Sequence, residues 1–162
     1  MNYFVIDHCG FVTHNIPAAR AVWRDILGFS VVGPEVVDTH QKVLIQFLSR
    51  EGQDDSRIEL LAPLDSSSPV MKCAKSGGGL HHICVRVQTL DDFAEKLRQT
   101  TLAPVSAPAP APALGGRRVA FAYTPGFGLL EFVESAGAPD LTNFAHPSFN
   151  ELRVSFLKVL PS

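Results

Sequence analysis

An internal repeat constrains the fold of this chain more than any other feature of its sequence. The segment IDHCGFVTHNIPAARAVW aligns with LHHICVRVQTLDDFAEKL at an offset of 74 residues, which superposes His8 on His82. The segments SRIELLAPL and GLLEFVES align at an offset of 72 residues, which superposes Glu59 on Glu131. Each half of the chain therefore places one histidine on its first predicted strand and one glutamate on its last.

The first half is predicted to form a β-α-β-β-β module. Tyr3 to His14 is rich in β-branched and aromatic residues and predicts a strand. Asn15 is a suitable helix cap, and Gly28 suits the position after the helix end. The apolar stripe of that helix is predicted to comprise Ile16, Ala19, Val22, Trp23, Ile26 and Leu27. Three strands follow, with the sequences FSVVGPEVV, KVLIQFLS and SRIELLAPL.

The second half repeats this order after a linking helix. We predict that Ser68 caps the linking helix and that Thr89 caps the helix of the second module. The predicted stripe of that second helix is Leu90, Phe93, Ala94 and Leu97. A hairpin with the strands RRVAFAYT and GLLEFVES ends the module. The Pro/Ala tract between helix and hairpin, 103–116, cannot be a central strand, because proline lacks the ladder donor. We predict an extended loop over the mouth of a site, with an edge segment of the sheet as an alternative for part of it.

The four superposed residues have the chemistry of a metal site. Glu59 and Glu131 each lie between apolar residues, where a carboxylate is costly to bury without a partner. A pseudo-twofold axis between the halves would bring both glutamates to both histidines, and two imidazoles with two carboxylates suit a divalent cation. Taken alone, either histidine could be a hydrogen-bonded histidine of the core or the surface, and either glutamate could lie on the solvent face of its strand. It is the joint match in the two repeats that favours the metal site.

Adjacent histidines begin the first strand of the second half. Strand alternation points His81 and His82 to opposite faces, so that only one of them can be a ligand. The repeat selects His82. We expect His81 to have a structural role or to support the ligand from outside the metal sphere.

Composition narrows the class of protein. The chain has 162 residues, enough for one domain, and a net charge of −2, which argues against a nucleic-acid surface. It has no apolar run long enough to span a membrane and no recognisable secretory signal, so we predict a cytoplasmic protein. Three cysteines without CxxC spacing, Cys9, Cys73 and Cys84, are expected to be reduced thiols.

The chain resembles a known family in three segments. The sequence IELLAPLDSSSPVMKCAKSGGGLHHICVRV is similar to the central part of methylmalonyl-CoA epimerases, and IDHCGFVTHNIPAARAVWRDILGF and GGRRVAFAYTPGFGLLEFVE are similar to their opening and closing segments. These enzymes belong to the vicinal oxygen chelate superfamily, with glyoxalase I and the extradiol dioxygenases. The resemblance implies an α+β fold in which two paired βαβββ modules form a half-open barrel around a metal.

The same resemblance implies domain boundaries and partners. A vicinal oxygen chelate domain is expected over 1–134, comprising module one at 3–64, the linking helix at 68–77 and module two at 80–134. The remainder, 135–162, is expected to be a C-terminal extension. The expected partners are a small-molecule substrate, with an acyl-CoA as the candidate, and a second copy of the chain in a homodimer.

The implied function is that of a metal-dependent epimerase or isomerase acting by proton abstraction next to a carbonyl, on a 2-substituted malonyl-CoA thioester. The implied ligands are His8, Glu59, His82 and Glu131, holding one zinc, nickel, cobalt, manganese or iron ion. Glu131 is expected to be the base and Glu59 its symmetric partner. Ile45 stands where some epimerases of the family carry a further catalytic glutamate, which puts the substrate in doubt.

Contacts to the substrate are predicted from charge and position. Arg117, Arg118 and Lys72 (with Lys75) are candidates for binding CoA phosphates, and Gln46, next to Ile45, is a candidate substrate contact. Three alternative functions stay open on the same fold: a glyoxalase I-type lyase acting on a hemithioacetal, an extradiol-type dioxygenase using Fe(II), and a protein that sequesters a small molecule.

Overall fold

The computed structural model of the protein describes residues 5–50, 53–126 and 128–134. These residues form an α+β fold built on one curved, unclosed sheet of nine strands, as predicted. The predicted C-terminal extension, 135–162, lies outside the described residues.

The strands and helices follow the predicted order, with two short strands and a 3-10 turn added in the Pro/Ala tract. The strands are β1 (Ile6–Val12), β2 (Ser30–Asp38), β3 (Val43–Arg50), β4 (Gln53–Pro63), β5 (Gly79–Val87), β6 (Ala103–Pro104), β7 (Ala109–Pro110), β8 (Arg118–Thr124) and β9 (Gly128–Glu134). The helices are α1 (Ile16–Asp25), α2 (Met71–Lys75) and α3 (Phe93–Leu97), with a 3-10 turn at Pro112–Leu114.

The order of strands in the sheet displays the repeat. It runs β2-β3-β4-β1-β5-β9-β8-β6, and β7 also pairs with β8. β1 is parallel to β4 as β5 is parallel to β9, and β1 and β5 pair with each other antiparallel at the centre. The two modules therefore join at their first strands, which brings the histidine-bearing strands side by side.

The inner face of the sheet holds one part of the core. A cluster of buried residues there includes Val43, Ile45 and Phe47 of β3 and Leu61 of β4. The opposite faces of the two modules pack separately against α1 and α3. Phe47 and Leu61 occupy the same face as Glu59, because side chains two residues apart on a strand share a face.

Helix α1 begins as predicted but is less buried than predicted. The Oδ1 of Asn15 accepts a hydrogen bond from the backbone N–H of Ala18 at 2.9 Å, which caps the helix. Ile16 is buried, whereas Trp23 is half-buried against the rings of Phe11 and Phe29. Ala19 is also partly buried against this cluster, but three residues of the predicted stripe were wrong: Val22, Ile26 and Leu27 are 50%, 75% and 45% exposed.

Two predicted helix caps were also wrong. Helix α2 begins after Val70 without a side-chain cap. The carbonyl of Ser68 accepts from the N–H of Met71, and the buried hydroxyl of Ser68 has no hydrogen-bond partner among the described residues. Helix α3 begins after Asp92, since the hydroxyl of Thr89 closes a local turn by accepting from the N–H of Asp91. Of the stripe predicted for α3, Ala94 is exposed and the other three residues are buried.

The Pro/Ala tract is partly an edge of the sheet. Ala103 and Pro104 pair with β8, and so do Ala109 and Pro110, while the residues between them bulge away from the strand. Val105, Ser106, Ala107 and Ala109 line a cavity, in agreement with the position predicted for the loop.

Candidate metal centre

Four strands deliver the four repeat-related residues to one point inside the sheet. β1 carries His8, β4 carries Glu59, β5 carries His82 and β9 carries Glu131. Gly10 pairs with Glu59 on one side and with His82 on the other, and Cys84 pairs with both His8 and Glu131. The central strands therefore set the relative height of the four side chains.

The four side chains converge closely. Nε2 of His8 lies 3.1 Å from Oε2 of Glu131 and 3.6 Å from Oε2 of Glu59. Nε2 of His82 lies 3.3 Å from each of these oxygens and 3.4 Å from Nε2 of His8. All four residues are buried, and their ligand atoms lie within 4.8 Å of one another. Bonds of about 2.0–2.2 Å to one ion would place neighbouring ligand atoms at similar separations.

The donor set fits a divalent cation. Oε2 of Glu131 is buried, and neither nearby imidazole meets it at hydrogen-bond angles, so it has no hydrogen-bond partner among the described residues. A buried carboxylate oxygen without a partner is costly, and a cation between it and the two imidazoles removes that cost. Two carboxylates also balance the charge of a 2+ ion.

Charge interactions inside the cluster are strong in the protein without bound metal. Burial favours a neutral His82, but contacts with Glu131 and Glu59 outweigh it and raise its pKa to about 9. Burial likewise opposes the charge of His8, yet its contacts with Asp7 and the two glutamates raise its pKa well above its usual value. The same contacts lower the pKa of Glu59 and of Glu131 against the opposing effect of burial.

Asp7 holds the first histidine from behind. Its Oδ1 lies 2.9 Å from Nδ1 of His8, which leaves Nε2 of that ring for the cluster. Asp7 is itself buried, and the guanidinium groups of Arg86, Arg57 and Arg117 lie 2.8, 3.3 and 3.8 Å from its carboxylate. Burial acts to raise the pKa of Asp7, but the hydrogen bonds to His8 and Arg86 hold it well below its usual value.

His81 lies beside the second histidine, contrary to the simple alternation predicted for the strand. The pairing of β5 with β1 shifts register between Gly10 and Phe11, and His81 is the extra residue on its strand. Such a shift turns a side chain that alternation would send to the other face. Nδ1 of His81 therefore lies 3.0 Å from Nδ1 of His82. Burial and the neighbouring His82 lower the pKa of His81 to about 4.

Gly10 makes room for His82. A Cβ atom at Gly10 would lie 2.2 Å from Cε1 and 2.5 Å from Nε2 of the His82 ring. No side chain can be accommodated there while the ring keeps its place. Gly10 and Asp7 are site residues that the sequence reasoning missed. Asp7 could have been found by extending the repeat by one residue, because it is the counterpart of His81.

A cavity of about 290 Å³ reaches the cluster at His82. Its polar lining comprises His40, Gln41, His81, His82 and Ser106. Its apolar lining comprises Val43, Leu61, Pro69, Val70, Val105, Ala107, Ala109, Val119, Phe121 and Leu129. The cavity can hold a small molecule with a polar end at His82 and an apolar part against the Pro/Ala tract.

The predicted substrate contacts lie outside this lining. Arg118 pairs with Asp91 at 2.7 Å and with Glu134, and Nε of Arg117 donates to the carbonyl of Leu114 at 3.0 Å. Gln46 is buried, and its amide donates to the carbonyl oxygens of Gly33 and Phe47. Lys72 is exposed on α2, next to the cavity residues Pro69 and Val70.

Comparison with protein families gives a match over most of the chain. The model of the glyoxalase/bleomycin resistance protein/dioxygenase superfamily matches residues 7–121. Mitochondrial methylmalonyl-CoA epimerase of Bos taurus is 28% identical over 96 residues, which are 58% of this chain and 53% of that protein. The match thus spans about half the length of this curated relative.

Two solved structures have the same fold over most of the chain. Methylmalonyl-CoA epimerase from Mycobacterium tuberculosis is 30% identical with a TM-score of 0.70, covering 81% of this chain and 87% of that one. A variant of the Streptomyces coelicolor methylmalonyl-CoA epimerase, in complex with 2-nitronate-propionyl-CoA, is 30% identical with a TM-score of 0.68. That comparison covers 82% of this chain and 97% of the other.

The helices in the described part of the chain are all too short or too polar to cross a membrane. The three cysteines are free, with Cys84 buried beside the cluster and Cys9 and Cys73 half-buried.

Proposed function

This chain belongs to the glyoxalase/bleomycin resistance protein/dioxygenase superfamily, and within it we propose that the protein is a metal-dependent epimerase. The observation that carries the proposal is the convergence of two buried carboxylates and two imidazole Nε2 atoms at the end of a small cavity. The likeness to methylmalonyl-CoA epimerases, one of them with an acyl-CoA analogue bound, supports the same reaction here.

His8, Glu59, His82 and Glu131 would hold one divalent ion, for which zinc, nickel, cobalt, manganese and iron are the candidates. When bound, such an ion supplies positive charge that stabilises an enolate oxygen. We expect His82→Ala to abolish metal uptake and His81→Ala to leave most of it, measured by metal analysis of purified protein. An equal loss in both variants would contradict the assignment of His82.

Glu131 is proposed to take the proton from the carbon next to the carbonyl, and Glu59 is its symmetric partner for returning it. The low pKa of both groups keeps them ionised near neutral pH, as a base must be. The site-facing side of β3 offers Val43, Ile45 and Phe47, which cannot exchange protons. The proposal therefore assigns the movement of the proton to the carboxylates of the cluster.

The proposed substrate is a 2-substituted malonyl-CoA thioester. The apolar lining of the cavity suits its alkyl substituent. Lys72 and Lys75 are the candidates for the phosphates of CoA, since both are exposed on α2, which follows the cavity residues Pro69 and Val70 in the chain. Arg117 and Arg118 are weaker candidates than their charge suggests, since both guanidinium groups bind elsewhere in the protein. Gln46 is likewise engaged with backbone carbonyls.

Exchange of the α-proton in deuterated water tests this function. Metal-loaded protein should incorporate deuterium into methylmalonyl-CoA or a longer 2-alkyl homologue, as measured by mass spectrometry. Glu131→Gln should lower the rate by about 10²- to 10⁴-fold, because it removes the base at nearly constant shape. Glu95→Gln, the same change at an exposed glutamate of α3, is the control. Absence of exchange with every thioester tested would overturn the proposal.

A glyoxalase I-type lyase acting on a hemithioacetal is the second candidate. Glutamate at position 59 favours it, because the resemblance places glutamine there in some epimerases and glutamate in glyoxalase I. The same proton abstraction would serve, and an assay with methylglyoxal and thiols separates the two. The complete, buried set of four ligand-type residues argues against an extradiol dioxygenase, which uses two histidines and one carboxylate, and against a sequestering protein.

We propose in addition that residues 1–134 form one domain, with 135–162 as an extension, and that the protein is a homodimer. Exposed apolar side chains on α1, directly after it and on the edge strand β2 support an interface between copies: Val22, Ile26, Leu27, Val31, Val32 and Val37. Light scattering should give twice the chain mass of 17.6 kDa. A mass equal to one chain would contradict the dimer.

A further inference from the structure

The two repeat-related histidines are each held by the residue that precedes them. The repeat superposes Asp7 on His81, and both are extra residues at register shifts in the pairing of β1 with β5. Oδ1 of Asp7 lies 2.9 Å from Nδ1 of His8, and Nδ1 of His81 lies 3.0 Å from Nδ1 of His82. In both modules, therefore, the residue that precedes the histidine contacts Nδ1 of its ring and orients it.

The chemistry of the two positions differs. Asp7 is 1% exposed and enclosed by three guanidinium groups, so nothing outside the protein can reach it. His81 is half-buried and lines the cavity beside His82. The cavity therefore reaches the residue that precedes His82, an imidazole, and does not reach the carboxylate that precedes His8.

The hydrogen bond between the two histidines sets their tautomers. Nε2 of His82 faces the two glutamates, so as a metal ligand this ring carries its proton on Nδ1. That N–H donates to Nδ1 of His81, which must then be unprotonated. The proton of a neutral His81 is consequently on Nε2. No residue among those described accepts a hydrogen bond from this Nε2.

We propose that His81 binds the substrate, presenting its Nε2–H to the cavity as a fixed donor to an anionic oxygen. Under the proposed function, on which this inference rests, that oxygen belongs to the carboxylate or the developing enolate of a 2-substituted malonyl thioester. His81 transfers no proton in this role. Its contribution is a donor of defined direction, made available because its other nitrogen is held by His82.

The two nitrogens of His81 can be separated by substitution. His81→Asn keeps a polar atom at the position of Nδ1 and removes the donor at Nε2. His81→Gln places an amide N–H near the position of Nε2. If His81 only holds His82, asparagine should preserve its function better than glutamine. If His81 binds substrate through Nε2, glutamine should preserve its function better than asparagine.

The experiment uses the full chain loaded with Zn²⁺ and methylmalonate as the probe. We expect His81→Asn to change zinc affinity by less than about 3-fold but to weaken methylmalonate binding by about 10- to 100-fold, as for one hydrogen bond to an anion. His81→Gln should recover most of that binding. His14→Asn, the same change at an exposed histidine outside the cavity, should change neither. Calorimetry measures both affinities.

A second measurement is independent of any activity. Two-bond ¹H–¹⁵N spectra of the zinc-loaded protein should show His81 as the Nε2–H tautomer, assigned by loss of its signals in His81→Asn. The Nδ1–H tautomer would overturn the proposal, and so would unchanged methylmalonate binding in His81→Asn or a zinc affinity lowered more than 10-fold. The outcome can also separate this inference from the proposed function. If His81 has the expected tautomer and binds methylmalonate as expected, but no thioester exchanges its α-proton, the proposed reaction is wrong and the anion-binding role of His81 is retained.

Discussion

At the scale of single residues, the site depends on positions that carry no ligand atom. The four proposed ligands are equivalent in the two repeats, but the residues that surround them are not. Gly10 supplies space for one ring, and Asp7 supplies charge behind the other. Neither contact is visible in a one-dimensional pattern, because each depends on which strands pair and in which register.

Gly10→Ala tests the space requirement. The added methyl group would overlap the ring of His82, so the ring or the strand has to move. We expect a loss of metal affinity of at least 10-fold and a loss of about 1–3 kcal/mol in the free energy of unfolding. Metal titration and denaturant unfolding measure the two effects. Unchanged metal affinity would mean that His82 does not need the position that the structure gives it.

Asp7→Asn tests the charge behind His8. The amide can still contact Nδ1, but it removes the carboxylate that fixes the ring and compensates Arg57, Arg86 and Arg117. We expect metal affinity to fall by about 10- to 100-fold. Competition with a chelator measures it, with Asp25→Asn at an exposed Arg24 pair as the control. Wild-type affinity in Asp7→Asn would show that this carboxylate serves packing alone.

At the scale of elements, the sequence predicted the positions of the strands more accurately than those of the helices. All four strands of module one and the main strands of module two lie where alternation and β-branched residues predicted them. Helices α2 and α3 have five residues each, and neither begins at the cap predicted from the sequence. The hydroxyl of Thr89 is taken up by a local turn, which competes with capping. The apolar stripe of α1 predicted burial for Ile26, yet the helix ends at Asp25 and Ile26 is 75% exposed.

Helix α2 gives a prediction at this scale. If Lys72 and Lys75 bind the phosphates of CoA, the double variant Lys72→Ala/Lys75→Ala should raise KM for a CoA thioester about 10-fold and leave kcat within 2-fold. A thioester truncated before the phosphates is the control substrate, and its KM should not change. An equal rise in KM for both substrates would mean that the two lysines do not act by binding the phosphates of CoA.

At the scale of the whole molecule, stability without metal should depend on pH through the cluster. The pKa of His82 is raised to about 9 from about 6.5, so between these values the folded protein binds more protons than the unfolded chain. Its stabilising effect is complete below about pH 6.5 and is lost as pH rises to about 9. The expected loss is on the order of 3 kcal/mol.

Denaturant unfolding of chelator-treated protein at pH 6.5 and 9 measures this loss. His82→Gln removes one of the two cluster histidines whose pKa is raised and should reduce the dependence, whereas His14→Gln, at an exposed histidine, should leave it unchanged. Metal-loaded protein should also show little of it, since a metal ligand cannot take up a proton. Equal stability of the metal-free wild type at the two pH values would contradict the charge balance described for the cluster.

The sequence alone determined the two-module architecture and the four residues proposed as ligands, because duplication leaves the same residue types at the same places in both halves. The tertiary structure alone decided the surroundings of those residues. Pairing of β1 with β5 produces the register shifts at Asp7 and His81 and the close approach of Gly10 to His82, and the folded chain places His81, but not Asp7, on the lining of the cavity. These features arise between strands distant in sequence, and a repeat records what each half contains but not how the two halves meet.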